Sequence, residues 1–161
     1  MLSSSSRLFT IARQQPRLTD RSHSRTDELR LLRNNFYLGS YAQVIAEAAP
    51  PPGGDPNPER AALYYRAHIA SGNPGRASEI PPSAPAELQA VRHLAAYVAA
   101  AASGDLAGKA SAVSGLSHLL ADGANGLSST VQAVAGGVYY QEERYADALS
   151  TVAKSPRNLE W

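Results

Sequence analysis

The sequence predicts an all-α fold, an α-solenoid of about four helical hairpins, and three observations carry that prediction. Apolar residues step by three or four, most clearly in Leu88, Val91, Ala95, Val98 and Ala102, the spacing that lines one face of a helix. Breaks recur at intervals, at Gly39, Gly72, Gly104 and the polar corner Glu142-Glu143-Arg144. Aromatics are only 7% while Ala is abundant, which suits closely packed helices better than a β-sandwich.

Taken in order, Asp27 and Glu28 supply negative charge at a helix start, where the dipole favours it, and Leu29, Leu32 and Phe36 follow at helical spacing. A Gly-Ser break at 39–40 leads to a second segment from Tyr41 to Ala49, with Val44, Ile45 and Ala48 on one face. The loop from Pro50 to Pro58 holds five Pro and two Gly and can be neither helix nor central strand. A helix from about Glu59 to Ser71 stops at Gly72-Asn73-Pro74-Gly75, and a short piece from Arg76 to Ile80 stops at Pro81-Pro82. Ser83, two residues before Pro85, is the expected start of the next and clearest helix, which Ser103-Gly104-Asp105 ends. Another spans roughly Leu106 to Ala121. Ser128 or Ser129 then caps a helix carrying Val131, Val134, Val138 and Tyr139, and Tyr145 to Lys154 closes the fourth pair.

The turns inside the pairs, at Gly39, Gly72, Gly104 and Glu143, are separated by 33, 32 and 39 residues. Helix hairpins repeating at about 34 residues are the signature of tetratricopeptide repeats. The fourth pair fits that pattern best, with Gly136, Tyr139, Tyr145 and Ala148 where it wants a small residue, two aromatics and Ala. The expected architecture is therefore tetratricopeptide-like.

The formal charge of +1 hides an asymmetry. Residues 1–26 carry Arg7, Arg13, Arg17, Arg21 and Arg25 against the single Asp20, which leaves a net of −3 for 27–161. The expected organisation is a basic, Ser- and Arg-rich disordered tail over 1–26 and a helical-repeat domain over 27–161. The tail is also acid-poor, the composition of an organelle transit peptide; a merely solvated tail is the alternative. The absence of Cys excludes disulfides and thiolate chemistry. The longest apolar run, Leu94 to Ala102, has nine residues, far short of a membrane-spanning helix of about 20.

Catalytic signatures fail on inspection. His23, His68, His93 and His118 have no His partner three or four residues away, so no helical metal pair arises. Gly104-Asp105-Leu106-Ala107-Gly108-Lys109 imitates a phosphate-binding loop but has three residues between its glycines instead of four. Ala110 stands where Ser or Thr would hold magnesium. The expectation there is a hairpin turn. Nor do acid, base and nucleophile converge, so no enzyme, cofactor or metal is expected.

Two stretches go beyond periodicity. Leu32-Arg33-Asn34-Asn35-Phe36-Tyr37-Leu38-Gly39-Ser40-Tyr41 resembles the opening of the coatomer epsilon subunit family, where an Asn-x-Phe-Tyr-x-Gly-x-Tyr string turns the first hairpin. Ser83-Ala84-Pro85 followed by Glu87-Leu88-Gln89-Ala90-Val91-Arg92 is similar to a Ser-Ala-Pro-Glu-Leu-Gln-Ala-Val-Arg segment of that family, broken by the extra Ala86. Pro58-Glu59-Arg60 and Leu63-Tyr64-Tyr65-Arg66-Ala67 match between them. The resemblance runs from about residue 28 to Trp161 and thins over 105–130. It departs in two respects: the family lacks the basic tail, and its members continue for several further repeats. It implies a non-catalytic structural subunit of the COPI vesicle coat, gripping the C-terminal region of the coatomer alpha subunit in Golgi-to-endoplasmic-reticulum and intra-Golgi traffic. The implied location is cytoplasmic, peripheral on Golgi membranes and coated vesicles. The alternative from the residues alone is a free-standing helical-repeat adaptor for a peptide ligand, with an organelle as one location open to it.

In such a solenoid the first helix of each hairpin lines the concave face. Tyr37, Tyr64, Tyr65, Tyr97, Tyr139 and Tyr140 all fall on first helices, and Tyr gives a large contact area with a polar tip. With Arg66 and Arg92 these are the candidate partner-binding residues. Phe36, Tyr41 and Tyr145 are expected in the packing between repeats. Because family members continue past the position of Trp161, the last hairpin is expected to leave Val131, Val134 and Val138 open, with self-association as the consequence.

Overall fold

The computed structural model describes residues 18–50 and 56–154, with side chains from Asp27 onward. The transit-peptide or tail expectation for 1–17, most of the Pro-rich loop and the segment after Lys154 lie outside the described residues. Those described form seven α-helices and two 3-10 turns, with no strand among them. The fold is all-α and tetratricopeptide-like.

Helix α1 (Leu18–Tyr37) pairs with α2 (Tyr41–Glu47). α3 (Pro58–Ala70) pairs with a 3-10 turn over Pro74–Glu79. α4 (Ala86–Ser103) pairs with α5 (Leu106–Ala121), and after a 3-10 turn over Asn125–Leu127, α6 (Ser129–Gln141) pairs with α7 (Tyr145–Ala153). α1 begins earlier than expected: its backbone is helical from Leu18, inside the stretch that composition assigns to the tail. No Gly or Pro interrupts residues 17–38, so nothing local stops the helix from extending.

The hairpin turns share one backbone device. Gly39, Gly72 and Gly104 have φ of 79°, 84° and 72°, and Glu143 matches them at 60°. Each reverses the chain through the left-handed region, which glycine enters without steric cost and a side chain does not. All four anticipated turns are therefore built alike, the fourth against the preference of its residue type.

Caps fix the helix starts. The Asn57 side chain accepts from the backbone N–H groups of Glu59 and Arg60 at 3.0 and 3.3 Å, with Pro58 at the first helical position, where its missing N–H costs nothing. The Asp105 carboxylate accepts from Gly108 N–H at 3.0 Å. A Cβ on Gly108 would sit 2.5 Å from Asp105 Oδ2 and 3.0 Å from Ala100 Cβ. The Gly-x-x-x-Gly string is thus a capped hairpin corner, as expected. Two other starts differ from expectation. α4 begins at Ala86 after a turn closed by Ala84 N–H to Pro81 O at 3.0 Å, because Pro81-Pro82 holds Ser83 in that turn. Ser128 precedes α6 but makes no side-chain cap; its hydroxyl donates to Glu87 Oε1 at 2.9 Å and ties α6 to α4.

The second hairpin has no true second helix. Pro74 and Pro81-Pro82 bound so short a stretch that only a 3-10 turn fits. It still buries Ala77 and Ile80.

Three apolar clusters follow one another along the chain. The first joins α1, α2 and α3 through Leu32, Val44, Ala48, Leu63, Tyr64 and Ala67. The second joins α3 to α4 through Ala62, Ile69, Ala77, Ile80, Val91 and Ala95. The third joins α4, α5 and α6 around Tyr97, Leu116, Val131, Val134 and Val138. Burial of a leucine such as Leu32, Leu63 or Leu116, each at most 1% exposed, stabilises by about 1.5–3 kcal/mol. Neighbouring hairpins are thus bound by their own cores, as in a solenoid.

Candidate partner-binding groove

The first helices of the hairpins, α1, α3, α4 and α6, line a common face. Phe36, Arg66, Ile69, Leu94, Val98 and Gly137 border a depression of about 310 Å³ there. It adjoins a larger one of about 580 Å³, whose walls include Tyr37, Arg66, Tyr140, Tyr145, Leu149 and Val152. Arg66 and Gly137 belong to both, so the two form one groove.

Small residues make the groove. Ala133, Gly136 and Gly137 of α6 lie along it, and a Cβ on Gly136 would approach Val152 Cγ1 to 2.8 Å. α6 and α7 are therefore pressed together at Gly136, and the aromatic rings rise on either side. Tyr140 and Tyr145 meet edge to face with centroids 5.5 Å apart. Tyr140, Tyr145 and Leu149 are 65%, 58% and 70% exposed. Arg66 brings positive charge to the floor, its guanidinium 4.7 Å from the Phe36 ring centroid, a cation–π distance.

The eight candidate side chains divide sharply. Tyr37, Arg66 and Tyr140 come together at the groove. Tyr65 is half-buried against the first two clusters, and Arg92 is exposed outside the groove lining. Tyr64, Tyr97 and Tyr139 are 6%, 2% and 5% exposed and belong to the core. Tyr97 donates to Glu142 Oε1 at 2.6 Å and Tyr139 shares a 2.8 Å bond with Ser117, while the Tyr64 ring meets Tyr65 and His68 edge to face.

Glu142 is also held by Lys109 Nζ at 2.6 Å. That hydrogen bond, with the one from Tyr97, pulls the Glu142 carboxyl below its ordinary value and lifts Lys109 above its own. Burial pushes the Tyr97 hydroxyl up, and the Glu142 hydrogen bond adds to the shift. These residues lock the third hairpin to the fourth.

Two expectations need correction. Phe36 and Tyr41 pack on the first cluster, but Tyr145 does not join a core, because its side of α7 faces the groove. Val131, Val134 and Val138 are 0%, 4% and 1% exposed, not open, since that face of α6 packs on α4 and α5. The apolar residues the last hairpin does expose are Tyr140, Tyr145 and Leu149. Reading by residue type had missed Leu149 and the small residues Ala133 and Gly137; their period on α6 and α7 was the available signal.

The arrangement defines an α-solenoid scaffold with an apolar groove along its first helices that α7 closes at one end. The family model for the coatomer epsilon subunit matches residues 25–161. Coatomer subunit epsilon-2 of Oryza sativa subsp. japonica is 44% identical over 131 residues, covering 76% of this chain and 42% of its own length. Coatomer subunit epsilon-2 of Arabidopsis thaliana is 38% identical over 129 residues, covering 76% of this chain and 41% of its own. No solved structure matches the chain closely enough to count as a relative. The chain belongs to the coatomer epsilon subunit family, and it spans about two fifths of the length of the curated relatives it matches.

Proposed function

We propose that the chain is a non-catalytic structural subunit of the COPI coat that binds and stabilises the coatomer alpha subunit by holding a segment of it in the groove. The observation that carries this reading is the continuous apolar groove from Phe36 to Leu149 in a member of the epsilon family. Exposed aromatic and aliphatic side chains around a floor of small residues suit an apolar partner segment. Arg66 favours a ligand with an acidic group beside its apolar anchor. Function then consists of presenting a surface in Golgi-to-endoplasmic-reticulum and intra-Golgi traffic, from the cytoplasm and at Golgi membranes. Among the described residues no helix is long and apolar enough to cross a membrane, so membrane association on this reading comes through the coat.

Tyr140→Ala with Leu149→Ala should weaken capture of the C-terminal region of the alpha subunit by roughly tenfold or more, while Glu79→Ala on the second hairpin leaves it intact. Tyr64 is unsuitable for this test, because its ring lies in the core and its loss would report folding. Equal capture by the two variants, both shown to be folded, would remove the groove from the mechanism.

A further inference from the structure

We propose that Asn125–Gly126, in the 3-10 turn between α5 and α6, is a covalent modification site: a deamidation centre that Asp122 holds closed and that local opening of this corner releases. It is the one Asn-Gly pair in the sequence. A glycine carries no side chain to shield its backbone nitrogen, which therefore reaches the preceding side-chain amide more readily than that of any other residue. The fold itself requires glycine here, because a Cβ on Gly126 would collide with the Leu120 carbonyl oxygen. The reactive pair is thus tied to the packing of the corner.

In the closed corner both reacting groups are occupied. Gly126 N–H, which carries the nucleophilic nitrogen, donates to Asp122 O at 2.7 Å. The Asn125 amide nitrogen, the leaving group, donates to Asp122 Oδ2 at 2.7 Å. Gln132, only 2% exposed, donates to Gly126 O at 2.7 Å and anchors the turn to α6. Asp122 therefore clasps both ends of the pair, while Gln132 holds the peptide from the other side.

When the clasp opens, base removes the Gly126 amide proton and the nitrogen attacks Asn125 Cγ. The N–Cγ bond forms, the Cγ–Nδ2 bond breaks, and ammonia leaves with a proton. Water then adds to either carbonyl of the succinimide and leaves aspartate or isoaspartate at position 125. Water enters and ammonia leaves in equal amount, and no redox partner is needed. Reclosure is then opposed. A carboxylate meets Asp122 where an amide donor stood, and like charges at that distance repel. Isoaspartate adds a backbone atom beside Gly126, where Leu120 O leaves no room. The turn leads into α6, whose Ala133, Gly136 and Gly137 lie along the groove, so conversion records an opening and loosens that wall. The proposal stands whether or not the groove holds a partner.

The test follows the mass gain at Asn125 by peptide mass spectrometry in the full chain, folded or unfolded in guanidinium. The folded chain is expected to convert at least about tenfold more slowly, since reaction waits for local opening. Asp122→Ala, shown to be folded by circular dichroism, should convert roughly tenfold faster than the folded parent, because both ends of the pair are freed. Asn125→Asp should raise amide hydrogen exchange across 120–132 severalfold. Exchanging the pair, Asp122→Asn with Asn125→Asp, should return it toward the parent, because a donor again faces a carboxylate. Equal conversion in the folded and unfolded chain overturns the proposal, and so does an Asp122→Ala rate that matches the folded parent. An Asn125→Asp variant that exchanges like the parent overturns it as well.

Discussion

Across the first two hairpins long charged side chains bridge beside the apolar cluster: Arg33 pairs with Glu59, and Arg60 lies 3.4 Å from Glu28 while donating to Glu47 O of α2 at 2.5 Å. Between α4 and α7 the backbones approach more closely, with small residues at the contacts. Gly108 meets Ala100, Gly115 makes room for the His93 ring, and Gly136 meets Val152. The first arrangement adds polar bridges to its apolar cluster, and the second brings backbones together. Long side chains bridge where α2 is short and the 3-10 turn replaces a helix, so the second arms offer little surface. Where both arms are full helices, omitting Cβ atoms lets them touch closely, and dispersion and burial add to the Lys109–Glu142 pair.

The largest expected effect lies in the closely packed half. Leu116→Ala should cost about 3 kcal/mol in urea denaturation, because Leu116 is fully buried and the surrounding helices have little room to collapse. A loss below about 1 kcal/mol would mean that this half is looser than its glycines imply.

Gly115 comes next. The space a Cβ would occupy is filled by the His93 imidazole, so Gly115→Ala should cost about 1–3 kcal/mol, the usual range for overpacking. Adding His93→Ala should restore much of it, and a strictly additive double variant would break the proposed contact. The same ring gives a pH dependence. Burial, and then the nearby Arg92, hold the His93 pKa below 6.5. The unfolded chain therefore binds the proton more tightly, so His93's contribution is fully present above about 6.5 and is lost as pH falls from there through the folded-state pKa. Burial also lowers His68, with Arg76 adding to it, so the acid loss should persist in part in His93→Gln. A pH-independent stability between 7 and 5 would contradict both shifts.

The bridged half should respond less. Arg33 and Glu59 are each about a quarter exposed, and a double-mutant cycle between them should give about 0.5–1 kcal/mol. A coupling as large as the Leu116 effect would reverse the ranking of the two halves. The smallest expected change is a gain: Glu143→Gly relieves a left-handed residue with an exposed side chain and should stabilise by about 0.5–1 kcal/mol.

Three turns are legible in the sequence because left-handed backbone selects glycine, and the fourth shows as the polar corner Glu142-Glu143-Arg144, which the repeat aligns with Gly39, Gly72 and Gly104. The groove was less so. Tyr64 and Tyr65, or Tyr139 and Tyr140, are adjacent residues about 100° apart around a helix, and one of each pair enters the core. Residue type cannot separate them, since Tyr serves a packed interior and an exposed wall equally. What separates them is which side of each helix the next hairpin covers. The capping Asn57 shows a simpler miss, since Asn-Pro before an apolar run is a helix-start signal.

The serial arrangement of the three clusters also sets an order in time. Each cluster draws only on hairpins adjacent in sequence, so closing it requires short loops and little chain entropy. During synthesis the first cluster can form once α3 has left the ribosome, before α6 and α7 exist. The nascent chain then grows on a finished surface, one hairpin at a time, and its apolar faces wait only for the next arrival.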